Sequence, residues 1–152
     1  MSGRPVHHIG STAVDTMLWS KPVIDILVEV RDLTDLDGPV AEHLTKCGFE
    51  SRGEYGITGR RYFVRAAGTN RLKTHVHCHE HGDAQIDRHL RFRDYLRSHP
   101  SEAAAYSTLK SQLASAHGPD KAAYQAGKAE FIARMEKSAD KEWQKRGPRR
   151  ST

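Results

Sequence analysis

A chain of 152 residues, 37% hydrophobic and 28% charged, suits one domain with a real core and is too short for two ordinary ones. It holds no run of about eighteen apolar residues and no basic-then-apolar N-terminal order, so the sequence reads as cytoplasmic, with neither a membrane-spanning helix nor a signal peptide. The 2 cysteines, Cys47 and Cys78, lie in differently patterned segments and predict no disulfide framework, while the net charge of +5 favours nucleotide phosphates or polyanions as partners.

In chain order, Met1 to Val6 is a short lead-in to His8-Ile9-Gly10-Ser11-Thr12-Ala13-Val14. Gly10 lets backbone approach a ligand, and N–H groups around Ser11 and Thr12 could form an anion-binding nest. Lys21 and Pro22 then precede Val23–Val30, in which every residue is β-branched, leucine or acidic, so a strand is predicted. By the period-two rule Asp25 shares a face with Val23, Leu27 and Glu29, and Ile24, Ile26 and Val28 share the other. That pattern expects cover on both faces and a carboxylate in or near a protein-lined site. The alternative is an acidic residue at a strand edge, exposed or paired with Lys21 or an arginine.

A helix opens through Asp37 or Gly38 with Pro39 at its first turn, carries Val40, His43, Leu44 and Cys47 at helical spacing, and ends at Gly48. A segment punctuated by Gly53, Gly56 and Gly59 follows, either a ligand-approach loop or an ordinary turn-rich hairpin. Gly59–Arg65 reads as a strand with Arg61, Phe63 and Arg65 on one face and Tyr62 and Val64 on the other. A turn at Ala67–Asn70 leads to Thr74–His81, where His75, His77, His79 and His81 alternate onto one face if the strand stays extended. Same-face neighbours stand about 6.6 Å apart, so two imidazoles from one strand can join a metal site but rarely four. Buried histidines bonded to backbone carbonyls are the plainer alternative. Cys78 points to the other face.

The remainder reads as helices over Ala84–His99, from Pro100 to Gly118, and from Asp120 onward. The basic residues Lys145, Arg146, Arg149 and Arg150 fall in a segment expected as a disordered tail, 141–152.

The opening stretch, with Lys21-Pro22-Val23-Ile24-Asp25-Ile26 after it, resembles the GrpB family, whose signature reads roughly His-Ile-Gly-Ser-Thr-Ala-Val, a variable segment, then Lys-Pro-Ile-Ile-Asp-Ile. The resemblance continues through Arg61-Tyr62-Phe63, through the pair His75 and His77, and through Phe92–Pro100 with Tyr106, Leu109-Lys110 and Leu113-Ala114, reaching about Ala139. The family usually continues with Pro-Gly-Leu where this chain has Asp15-Thr16-Met17, so that turn is expected to differ. Relatives also carry a helix-forming segment ahead of the signature. Its absence here points to a misplaced start, a lost helix or a partner that covers the gap, and homodimerisation is one expectation.

GrpB proteins are grouped by fold with the nucleotidyltransferases. The resemblance therefore implies an α+β nucleotidyltransferase-like domain over residues 1–140, with a mixed or antiparallel sheet of about four strands covered by helices. It implies a metal-dependent enzyme acting on a nucleotide or other phosphate-containing small molecule; the alternatives are a non-catalytic nucleotide- or metabolite-binding module and a protein-interaction domain. Asp25 and His77 are the catalytic candidates, Asp25, His75 and His77 the metal ligands, with Mg or Mn favoured over Zn. Gly10, Ser11, Thr12, Lys21 and Arg61 are the phosphate-binding candidates, and nucleic acid is left open as a partner. For Arg93, Tyr106, Lys110 and Lys128, phosphate contact is weighed against helix-surface pairing. Leu27 stands where the superfamily places its second carboxylate, and Glu29, about 13 Å from Asp25 along the strand, cannot simply replace it.

Overall fold

The computed structural model describes residues 5–17 and 19–146. Two compact units are defined by their internal contacts: Pro22–Asp87 together with the segment up to Ala13, and Val14–Lys21 together with the chain from Arg88 onward.

The first unit is built on a five-stranded mixed sheet. Its strands are β1 (Val6–Ile9), β2 (Val23–Val30), β3 (Phe49–Ser51), β4 (Arg60–Arg65) and β5 (Lys73–Glu80), in the order β1-β2-β5-β4-β3. Only β2 and β5 run parallel; the other neighbours are antiparallel. About four strands were expected, and the structure corrects this to five. β1 is four residues long with two central histidines, and β3 has three residues, so neither is long enough for a hydrophobic alternation to register.

One sheet face carries an apolar cluster. Val30, Phe63 and Cys78 pack with Leu33 and Leu36 of a 3-10 turn (Leu33–Leu36) and with Leu44 of helix α1 (Pro39–Lys46). Gly38 precedes α1 as its cap with no side-chain hydrogen bond, and Pro39 fits the first turn because its missing N–H would have no partner there. Cys78 is buried in this cluster, on the opposite face from His77.

The other face follows from the register. Asp25 pairs with His75, Leu27 with His77 and Glu29 with His79 across β2 and β5. Tyr62 and Arg60 pair with His77 and His79 across β4 and β5, and Ile9 with Asp25 across β1 and β2. Directly paired residues point to the same side, so aspartate, imidazoles, tyrosine and Arg60 share one surface.

Helix α2 (Ala84–Ser98) opens in the first unit and continues into the second, which also holds α3 (Pro100–His117) and α4 (Lys121–Arg146). Leu96, Ala103, Tyr106, Met135 and Ala139 form the core of the second unit with Val14. Asp120 accepts the Ala123 N–H at 3.0 Å and caps α4. Because α4 runs to Arg146, the first six residues of the expected tail are helical, and 147–152 lie outside the described residues. The helical cations meet local partners: Arg93 pairs with Asp94 at 2.9 Å, and Lys110 and Lys128 lie 4.7 and 4.8 Å from the ring centroids of Tyr106 and Tyr124. Among the described residues no helix is long and apolar enough to cross a membrane.

Candidate functional site

Asp25, His75 and His77 converge. One donor atom from each lies within 4.8 Å of the others, the single such grouping among the described residues. Parallel pairing makes this possible: β2 delivers the carboxylate beside His75, and the next same-face residue of β5 is His77. His77 Nε2 is 3.0 Å and His75 Nδ1 3.5 Å from Asp25 Oδ1. Burial raises the Asp25 pKa, but hydrogen bonds and charge from His75 and His77 outweigh it and hold the carboxyl at about 2.

Arg60 fixes the tautomer of His77. Its Nη1 stands 3.4 Å from His77 Nδ1, and a guanidinium can only donate. Nδ1 therefore accepts, and in the neutral ring the proton sits on Nε2, where it is donated to Asp25. Arg60 is buried, lies 4.5 Å from the Tyr62 ring centroid and donates to the carbonyls of Glu54 at 3.1 Å and Tyr55 at 2.9 Å. Tyr62 in turn places its ring 5.1 Å from that of His77 and 5.6 Å from that of His75. Burial, then the Asp25 charge, raises the Tyr62 pKa.

The candidates for holding phosphate separate. Gly10 belongs to the site, with φ +72° and its backbone so close to Asp25 that a Cβ would stand 2.8 Å from Oδ2. Ser11 and Thr12 follow in a 3-10 turn (Ser11–Ala13) closed by Ala13 N–H to Gly10 O at 3.1 Å. The Thr12 hydroxyl is already engaged: it donates to Val23 O at 3.1 Å and therefore receives the His8 Nε2 proton at 2.8 Å. Arg61 is turned away. Its neighbour Tyr62 faces His77, so Arg61 points to the other side of the sheet, where its Nε meets Asp37 Oδ1 at 3.3 Å. Lys21 belongs to the second unit and holds its ammonium 3.9 Å from the Tyr124 ring centroid.

The other two histidines of the alternating run have separate partners. His79 Nδ1 is 3.3 Å from Asp83, and its buried Nε2 has no hydrogen-bond partner. His81 lies beyond the strand end and meets Glu29 Oε2 at 2.9 Å, while His7 meets Oε1 at 3.0 Å. Glu29 is thus clamped between two imidazoles and does not supply Asp25 with a second carboxylate. Leu27, between them on the same face, is 0% exposed.

Arg60 and Tyr62 are the site residues that site selection from sequence missed. Arg60 shares a period-two face with Tyr62, and that signal points to it once Tyr62 is known to oppose His77.

The fold and site define an α+β protein whose mixed sheet brings Asp25, His75 and His77 together on one face. Residues 2–138 match the family described as GrpB protein, and the chain belongs to that family. It is 45% identical to the UPF0157 protein YqkA of Bacillus subtilis over 140 residues, covering 92% of this chain and 39% of that protein. It is 39% identical to a UPF0157 protein of Pseudomonas aeruginosa, covering 89% of this chain and 55% of that one. The chain thus spans about half or less of the length of these two relatives. The crystal structure of conserved protein GrpB from Enterococcus faecalis superposes with a TM-score of 0.82 at 41% identity, covering 91% of this chain and 81% of that one.

Proposed function

We propose that this chain is a metal-dependent enzyme of the nucleotidyltransferase kind that acts on a nucleotide or another phosphate-bearing small molecule. The observation that carries the reading is the convergence of Asp25, His75 and His77 donors within 4.8 Å. The donor types fit a divalent ion, which on binding His77 would displace the Nε2 proton now directed at Asp25. Two imidazoles suit Mn or Zn better than Mg, which prefers all-oxygen surroundings. A bound ion would supply Lewis acidity toward a phosphoryl oxygen. The chain's own groups do the rest. The Gly10 backbone lies against Asp25, the Arg60 guanidinium adds fixed positive charge beside His77, and Tyr62 sets its ring against both imidazoles.

Leu27 favours a second reading, a module that binds the same ligand without turning it over. The usual two-metal arrangement needs another carboxylate beside the first, and this position is apolar and fully buried.

A thermal-shift panel tests the proposal: four nucleoside triphosphates, each with EDTA, Mg²⁺, Mn²⁺ or Zn²⁺, on the native chain and on Asp25→Asn. A metal-dependent rise that the variant lacks supports it, and turnover of the triphosphate that binds separates enzyme from module. No shift with any triphosphate, or an equal shift in the variant, overturns it.

A further inference from the structure

The loop between β3 and β4 holds a bulky residue in a conformation that such residues avoid. Tyr55 has φ +46°, in the left-handed region. Strain of this kind persists only where surrounding contacts over-determine it, and here they are visible. The Arg60 guanidinium grips the carbonyls of both Glu54 and Tyr55, and the Glu54 carboxylate accepts the Gly59 N–H at 2.6 Å. Tyr62 ties the base of the loop through Arg52 N–H to Tyr62 O at 2.8 Å and Tyr62 N–H to Gly53 O at 2.9 Å.

All of this leaves the Tyr55 ring in solvent, 61% exposed. The ring stacks on Tyr62 with centroids 5.4 Å apart and planes at 25°, and Tyr62 leans on His77. Tyr55, with the Arg52 guanidinium 5.5 Å from its ring centroid, is therefore the solvent-facing end of an aromatic ladder whose half-buried end is the Asp25 cluster. Arg60 connects the two, since it holds the loop and touches His77 Nδ1. An isolated exposed tyrosine needs no explanation. A strained one, held by the same arginine that meets a site histidine, does.

We propose that Tyr55 is a stacking platform for a planar heteroaromatic ring of the substrate, which makes the ligand nucleotide-like and excludes a purely aliphatic or inorganic phosphate. This rests on the reading of Asp25, His75 and His77 as the place of the phosphate-linked chemistry. Every nucleobase offers a π face, so the platform selects for a base without choosing which one.

The test is calorimetric binding of the four nucleoside triphosphates and of inorganic pyrophosphate, with Mn²⁺ present, to the native chain, Tyr55→Ala and Tyr55→Phe. Mn²⁺ alone is titrated in parallel. The native chain should bind at least one triphosphate more tightly than pyrophosphate. Tyr55→Ala should weaken that triphosphate by about tenfold or more, the range of one lost base-aromatic stack, and leave pyrophosphate and Mn²⁺ unchanged. Tyr55→Phe should retain native affinity, and Tyr55→Gly, which removes ring and strain together, should lose the triphosphate without losing thermal stability. Unchanged triphosphate affinity in Tyr55→Ala, or a native chain that binds no triphosphate better than pyrophosphate, overturns the platform. If Mn²⁺ fails to bind while a triphosphate binds in a Tyr55-dependent way, the platform stands and the metal reading falls.

Discussion

Gly10 and Asp25 touch at a place where no other residue type fits: a Cβ on Gly10 would stand 2.8 Å from Asp25 Oδ2, and the Gly10 φ of +72° disfavours any L side chain. Gly10→Ala is therefore predicted to destabilise the fold by roughly 2 kcal/mol or more, of which about 1–2 kcal/mol comes from the left-handed backbone alone. The remainder comes from displacing the carboxylate, so divalent-metal affinity should fall in the same variant. Urea unfolding and a metal titration on one preparation check both halves.

Acid should weaken the cluster in a defined window. Asp25 titrates at about 2 in the fold against an ordinary 3.8, a depressed carboxylate. Its stabilising effect is fully present above the unfolded value and is lost as pH falls from about 4 toward 2. The shift corresponds to about 2 kcal/mol. The stability difference between the native chain and Asp25→Asn should shrink across that window, and a constant difference would contradict the assignment.

His79 behaves as a buried neutral base. Burial lowers its pKa below 6.5, and the Asp83 contact opposes this only in part. The unfolded chain takes up the proton first on acidification, so the contribution of His79 is present above pH 6.5 and declines below it. Imidazole chemical shifts should show His79 neutral on passing below pH 6.5, where a free histidine has begun to charge.

The Arg60 hydrogen bond predicts an opposing influence on any metal bound through His77. By donating to Nδ1 it keeps the ring proton on Nε2, the atom that faces Asp25, whereas a ligating Nε2 needs the proton on the other nitrogen. Arg60→Gln offers a carbonyl that can accept an Nδ1 proton. Mn²⁺ or Zn²⁺ affinity should rise by roughly tenfold, the lower end of what groups behind a ligand contribute. Thermal stability should fall in the same variant, because the Glu54 and Tyr55 carbonyls lose their donor. Weaker metal binding would contradict the tautomer argument.

Much of this site was legible one strand at a time. Period two placed Asp25 on the Leu27 face and His75 with His77, because alternation is a property of a single extended segment. Which face of β4 meets the Asp25 face of β2 depends on the pairing of Tyr62 with His77 through β5, and inter-strand register is not written in any one strand. The Arg61-Tyr62-Phe63 pattern of the resembled family points to Arg61, but it carries no register and so cannot say that Tyr62 and Arg60 face Asp25. Tyr55 lies in a loop where no periodicity operates, and only the left-handed backbone and the Arg60 bonds single it out. β1 escaped notice because His7 and His8 interrupt any apolar alternation.

The most direct measurement is equilibrium dialysis of Mn²⁺ and Zn²⁺ against the native chain, Asp25→Asn and His77→Ala, with metal counted per chain. One bound ion per native chain, lost in both variants while they remain folded, is the predicted result. No stoichiometric binding to the native chain, or binding that survives both substitutions, would contradict the assignment of Asp25, His75 and His77 as a metal centre.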